Sequence, residues 1–135
     1  MKNRTIRNTA LAAATAVMAL AACSKSCDDS DITGSWRWVS RNGGVGGHIN
    51  ETPASTGKNI TLVLGTDSKY SIWENGVIIS QGTYTRSSGS CIHDHGTKTT
   101  LDFSGAPDMM VESFNGNTLV LSDEANDGLN STYRR

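Results

Sequence analysis

The sequence predicts an all-β domain, a small eight-stranded antiparallel up-and-down barrel. Three observations carry this expectation. From residue 32 onward, short runs of alternating apolar and polar residues succeed one another at regular spacing, the period-2 pattern of half-buried strands. The runs are separated by glycine, asparagine and aspartate, including Asn75-Gly76 and Asn115-Gly116. Asn-Gly readily takes the positive φ angles of a tight hairpin. No window holds a 3.6-residue apolar stripe of helical length.

The first strand, residues 34–41, is the one to which the others are added. Trp36 and Trp38 are two residues apart and point to one side of an extended chain. Ser35, Arg37 and Arg41 take the other side, and Gly34 leaves room for close packing before the first tryptophan. Residues 42–58 contain five glycines and one proline and carry Val45, His48 and Ile49. This segment is either a mobile flap over a barrel mouth or a packed structural loop.

The second strand is residues 59–66, with Ile60, Leu62 and Leu64 on one face, and the third is residues 69–74. After the Asn75-Gly76 turn the fourth runs over 77–87, kinked at Gly82 where the absent side chain permits a bulge. Residues 88–98 are polar. The fifth strand, 99–104, places Leu101 and Phe103 on one face. Residues 109–114, 118–122 and 129–135 complete the set; Met109 and Met110 face opposite sides, so only one belongs to the core.

An open meander of these strands would leave two bare edges, and pairing the last strand with the first removes both. Eight strands suit a barrel wide enough for its own side chains or one small ligand; a two-sheet sandwich is the alternative. Trp36, Trp38, Tyr70, Tyr84, Leu101 and Phe103 are the candidate inner lining, with Trp73 a further aromatic. They either fill a narrow barrel or border a ligand cavity.

Residues 1–22 read as a leader rather than as part of the fold. Lys2, Arg4 and Arg7 precede an alanine-rich apolar run from Ala10 to Ala22, too short for a permanent membrane span. The run closes on Leu20-Ala21-Ala22-Cys23, which resembles the lipobox of bacterial lipoproteins. That resemblance implies cleavage before Cys23 and fatty acyl chains, palmitate among them, on this cysteine, which together make a stable anchor. Residues 23–31 then form a polar, flexible tether, and residues 32–135 the barrel domain. Ser24 after the cysteine implies outer-membrane sorting, and Asp28, Asp29 and Asp31 resemble the surface-export signal of Bacteroidetes lipoproteins. The other reading of these acids is a plain acidic linker.

The whole chain has 12 basic and 13 acidic residues; without the three basic residues of the leader the balance is 9 against 13, a net −4. A mildly acidic domain lacks the cationic surface that displaces counterions from phosphates, so nucleic acid is not an expected partner.

Gly34-Ser35-Trp36 is similar to the Gly-x-Trp signature opening the first strand of lipocalins, and the layout is similar to the lipocalin-like domains of small Bacteroidetes lipoproteins. The resemblance implies a barrel in which a basic residue near the closing strand packs across the tryptophan, here Arg134 or Arg135. The chain departs from the family in being short, lacking the later Thr-Asp-Tyr signature and having no C-terminal helix.

Two cysteines remain after Cys23, namely Cys27 and Cys91, and in an oxidising compartment they either pair or stay free. Cys91, His93 and His95 would share one face of an extended segment and are weak candidates for a zinc or copper site; a solvated polar loop is the alternative. No Gly-x-Ser-x-Gly or His-Glu-x-x-His pattern is present, so no enzyme activity is expected and no cofactor other than the covalent lipid. The expected function is non-enzymatic binding of a small apolar or amphipathic ligand by a membrane-anchored, exported lipoprotein. The alternative is a surface interaction lipoprotein with a solid-packed barrel.

Overall fold

β1 (Gly34–Gly43) is the strand through which the sheet closes. In the computed structural model, which describes residues 32–92, 94–123 and 125–135, it is followed by β2 (Ile49–Glu51), a single helical turn α1 (Pro53–Thr56), β3 (Ile60–Leu64) and β4 (Lys69–Glu74). Then come β5 (Val77–Ser90), β6 (Thr97–Phe103), β7 (Met109–Phe114), β8 (Thr118–Ser122) and β9 (Leu129–Arg134). β3 to β9 pair antiparallel in sequence order, β1 pairs with β3, and β9 returns to β1. The result is a closed eight-stranded barrel bearing one additional strand, β2, rather than a sandwich. Closure satisfies the backbone donors and acceptors that the ends of an open sheet would leave bare.

The alternating pattern puts Trp36, Trp38, Leu62, Leu64, Leu119 and Leu121 inside, all at 2 % exposure or less. Tyr70, Tyr84 and Leu101 join them, and Phe103 packs partly buried against the same cluster. Its ring centroid lies 4.7 Å from that of Tyr70 in an edge-on contact. Ile32, just ahead of β1, is fully buried and its carbonyl accepts from the Trp36 indole at 2.7 Å, closing one end of the barrel.

Several expectations are corrected. Residues 42–58 are not one loop: β1 extends to Gly43, a 3-10 turn covers Val45–Gly47, β2 pairs with β1, and Thr52 and Ser55 form a reciprocal capping box on α1. β2 has only three residues, too few for alternation to reveal it. The irregularity in β5 is not at Gly82 but between the pairs Ile72–Ser80 and Trp73–Ile78, so Ile79 is the extra residue. Gly82 instead gives room to its cross-strand partner Tyr70, whose ring lies 3.2 Å from where a Cβ would stand. Trp73 sits on the outer side with Ser71, whose hydroxyl accepts from its indole at 2.9 Å.

The most consequential correction concerns Arg41. The register of β1 on β9 shifts between Trp38 and Ser40, a bulge at Val39. After the bulge Arg41 faces Ser131, which pairs in turn with Leu121 of the core. One additional residue thus turns an expected outward arginine to the inner face.

Candidate functional site

At one end of the β1–β9 seam, Arg135 covers the first tryptophan. Its guanidinium carbon is 4.6 Å from the Trp36 ring centroid and 5.9 Å from that of Phe114. Nη1 donates to the Thr33 carbonyl at 3.1 Å, and Nε donates to the Gly116 carbonyl. The two candidates for the arginine over Trp36 are thereby resolved: Arg135 takes the position, while Arg134 pairs opposite Arg37 and Thr118.

At the other end of the seam four inward residues form a square. Trp38 lies opposite Tyr133, and Arg41 opposite Ser131. Arg41 Nε donates to Ser131 Oγ at 3.3 Å, its guanidinium carbon lies 5.9 Å from the Trp38 ring, and Nη1 is 3.8 Å from Glu51 of β2. Burial pushes the Tyr133 phenol up, opposed by the Arg41 charge and the Ser131 hydroxyl, so this side chain stays a neutral donor at physiological pH. The Trp38 indole nitrogen is buried and has no hydrogen-bond partner among the described residues.

A second polar group lies on the opposite face of the sheet, where Met110 and Ser122 pair with each other and alternate with the core residues Val111 and Leu121. Lys98 donates to Glu112, which also accepts from Ser122 at 3.0 Å; Lys98 lies 3.0 Å from Asp94. Cys91 is fully buried beside this group, its Sγ 3.9 Å from Glu112 Oε1. The Gly96 N–H, then the Lys98 ammonium, hold the Asp94 carboxyl down at about 2. Lys98 lowers Glu112 against the opposing effect of burial, and Lys98 is itself raised, by Glu112 first and Asp94 second. Met110 is buried over this face while Met109 packs on the barrel core, so of the two only Met109 joins the core cluster.

The segment carrying Cys91 and His95 is a turn, not an extended run. His95 N–H donates to the Cys91 carbonyl at 2.9 Å, and His95 takes a φ of 56°. Cys91 and His95 therefore do not share an extended face: Cys91 is buried and His95 is exposed. His93, Cys23 and Cys27 lie outside the described residues, as do the leader and tether; Cys91 is a free cysteine among those described. No group of three or more metal-ligating side chains is found among the described residues.

On the outside, a hollow of about 600 Å³ is bordered by Val63, Lys69, Ser71, Gln81 and Thr83, residues that alternate with the inner lining of β3 to β5. The start of β5 exposes Val77, Ile78 and Ile79 at 65, 41 and 56 %. β5 pairs with β4 from Val77 to Thr83 but with β6 only from Tyr84 onward, so this apolar stretch has a strand neighbour on one side only among the described residues.

Alternation alone was enough to find Trp36 and Trp38. Arg41, Ser131 and Tyr133 escaped it because a single bulge reverses the side of Arg41, and no residue near Val39 marks the bulge in the sequence. Lys98 and Glu112 escaped because their meeting depends on β6–β7 pairing. Compared with protein-family models, curated proteins and solved structures, the chain finds no match.

Proposed function

We propose that the protein is an exported lipoprotein, anchored through acyl chains on Cys23, whose lipocalin-like barrel acts non-enzymatically as a solid-packed interaction module. The observation that carries the packed reading is the inner face itself: Trp36, Leu101 and Leu119 have no exposed surface at all. A cavity large enough for an apolar molecule, on the order of a few hundred Å³, would leave such side chains accessible. Support for the anchor comes from the charged, apolar and Leu20-Ala21-Ala22-Cys23 succession. The surface proposed to meet a partner is the β4–β5 hairpin, where Val77, Ile78 and Ile79 combine apolar exposure with a free strand edge.

A second reading, a small apolar or amphipathic ligand in the barrel, draws on closure of eight strands, a size that accommodates one small molecule. It requires Trp36 and Leu101 to move apart. Native mass spectrometry of protein purified from membranes of its own host tests both readings. The expected mass is that of the chain from Cys23 plus acyl groups, with nothing else retained. A stoichiometric apolar companion would restore the ligand reading, and an unacylated chain would remove the anchor.

A further inference from the structure

We propose that the Trp38–Arg41–Ser131–Tyr133 square is a binding site for a carboxylate group at the barrel mouth. The argument begins with an imbalance of donors and acceptors. Trp38 Nε1 is a donor only, sits in a residue 2 % exposed, and has no partner among the described residues. Arg41 brings five N–H groups, of which one is committed to Ser131 and one side faces Glu51 at 3.8 Å, beyond hydrogen-bond length. Tyr133 adds a neutral phenol in a residue 7 % exposed. Arg41 and Tyr133 thus meet at the Ser131 hydroxyl, and the Trp38 ring lies beside the same guanidinium.

A buried donor without a partner is costly, and an anion held by the guanidinium 5.9 Å from the Trp38 ring is the group that would give the indole an acceptor. The guanidinium fork matches the two oxygens of a carboxylate, and the apolar ring of Trp38 flanks it. Arg41 is the accessible member, its side chain 33 % exposed, whereas the other three residues are buried. Glu51, 43 % exposed on β2, is the resident competitor: a carboxylate already attracted to the same guanidinium but held too far to bond it. The site needs only the mouth, so it goes beyond the packed-barrel reading and does not depend on it.

The test is titration of the protein with acetate and with decanoate, following the indole N–H resonances by two-dimensional NMR. The Trp38 signal is identified by its loss in Trp38→Phe. Acetate is expected to move that signal saturably, with little effect on the Trp73 indole. Arg41→Met weakens the response by about tenfold or more, as loss of a charge-assisted bond does. Glu51→Gln, a surface change that leaves the barrel core untouched, tightens it several-fold by removing the competitor. Decanoate binding much tighter than acetate identifies an amphipathic source of the carboxylate, and equal binding a small free acid. A Trp38 signal indifferent to both anions, as when a buried water alone satisfies the indole, overturns the proposal. So does a response that survives Arg41→Met or is unchanged by Glu51→Gln.

Discussion

Arg135 lies over Trp36 with its guanidinium carbon 4.6 Å from the ring centroid, while two of its nitrogens bond the carbonyls of Thr33 and Gly116. The same side chain therefore ties together the segment entering β1, the β7–β8 turn and the residue following β9. Trp36 is fixed from the other side by its own bond to the Ile32 carbonyl. This end of the barrel is sealed by polar contacts laid over an aromatic ring.

Arg135→Ala is expected to lower stability by about 1–2 kcal/mol, combining a cation–π contribution of about 0.5–1 kcal/mol with two exposed charge-assisted bonds. Arg135→Lys restores only part, because an ammonium cannot stack on the ring and reach both carbonyls in the same plane. Urea denaturation followed by tryptophan fluorescence measures the difference. Equal stability of the alanine variant and the parent would mean that the cap does not hold this end.

How much of this could be read beforehand differs from residue to residue. Trp36 and Trp38 were legible because period-2 alternation is a local property and both lie before the bulge. Closure by the last strand was legible as well, since an open meander leaves edges that must be paired. Grouping Trp73 with the lining aromatics fails, because aromatic character does not say which face of a strand is inner, and three residues beyond Tyr70 it falls on the outer one. Arg41 was assigned to the wrong face by the same alternation that was right for its neighbours. The turn that brings the His95 N–H to the Cys91 carbonyl was hidden because Cys91, His93 and His95 at alternating positions of the sequence look identical in a strand and in a tight polar turn. The mouth square and the Lys98–Glu112 pair both join residues distant in sequence, and only strand register brings them together.

The Lys98–Asp94–Glu112 group makes a prediction about acid. Both carboxylates have folded-state pKa values below their ordinary ones, Asp94 at about 2 instead of 3.8. Their contribution to stability is present above about pH 4.5 and is lost as pH falls through the folded values towards about 2. Lys98→Met removes a principal cause of the depression while leaving the barrel core intact. The variant is expected to melt below the parent at neutral pH, with the gap narrowing steadily from pH 4.5 to pH 2. Melting curves across that range decide it; a gap independent of pH would show that Lys98 acts by packing alone.

Gly43 tests the register of the seam near the carboxylate site. It pairs with Leu129 on one side and Ile49 on the other, and its φ of 136° is one that residues with a Cβ rarely adopt. A Cβ there would run into the Gly128 carbonyl, which is backbone and cannot swing aside. Gly43→Ala should therefore cost about 2–4 kcal/mol, from dihedral strain and from displacement of β9. Gly47 provides the control: its φ is 69°, but no atom of the described residues lies within 4 Å of its would-be Cβ, so Gly47→Ala should cost only about 1 kcal/mol. Arg41 is two residues from Gly43 and bonds Ser131, two residues beyond Leu129, so prising β9 from β1 here also loosens the mouth. Chemical denaturation of the two variants side by side checks the order. If Gly43→Ala proves no worse than Gly47→Ala, the two strands do not meet in this register, and Arg41 loses the reason for facing inward.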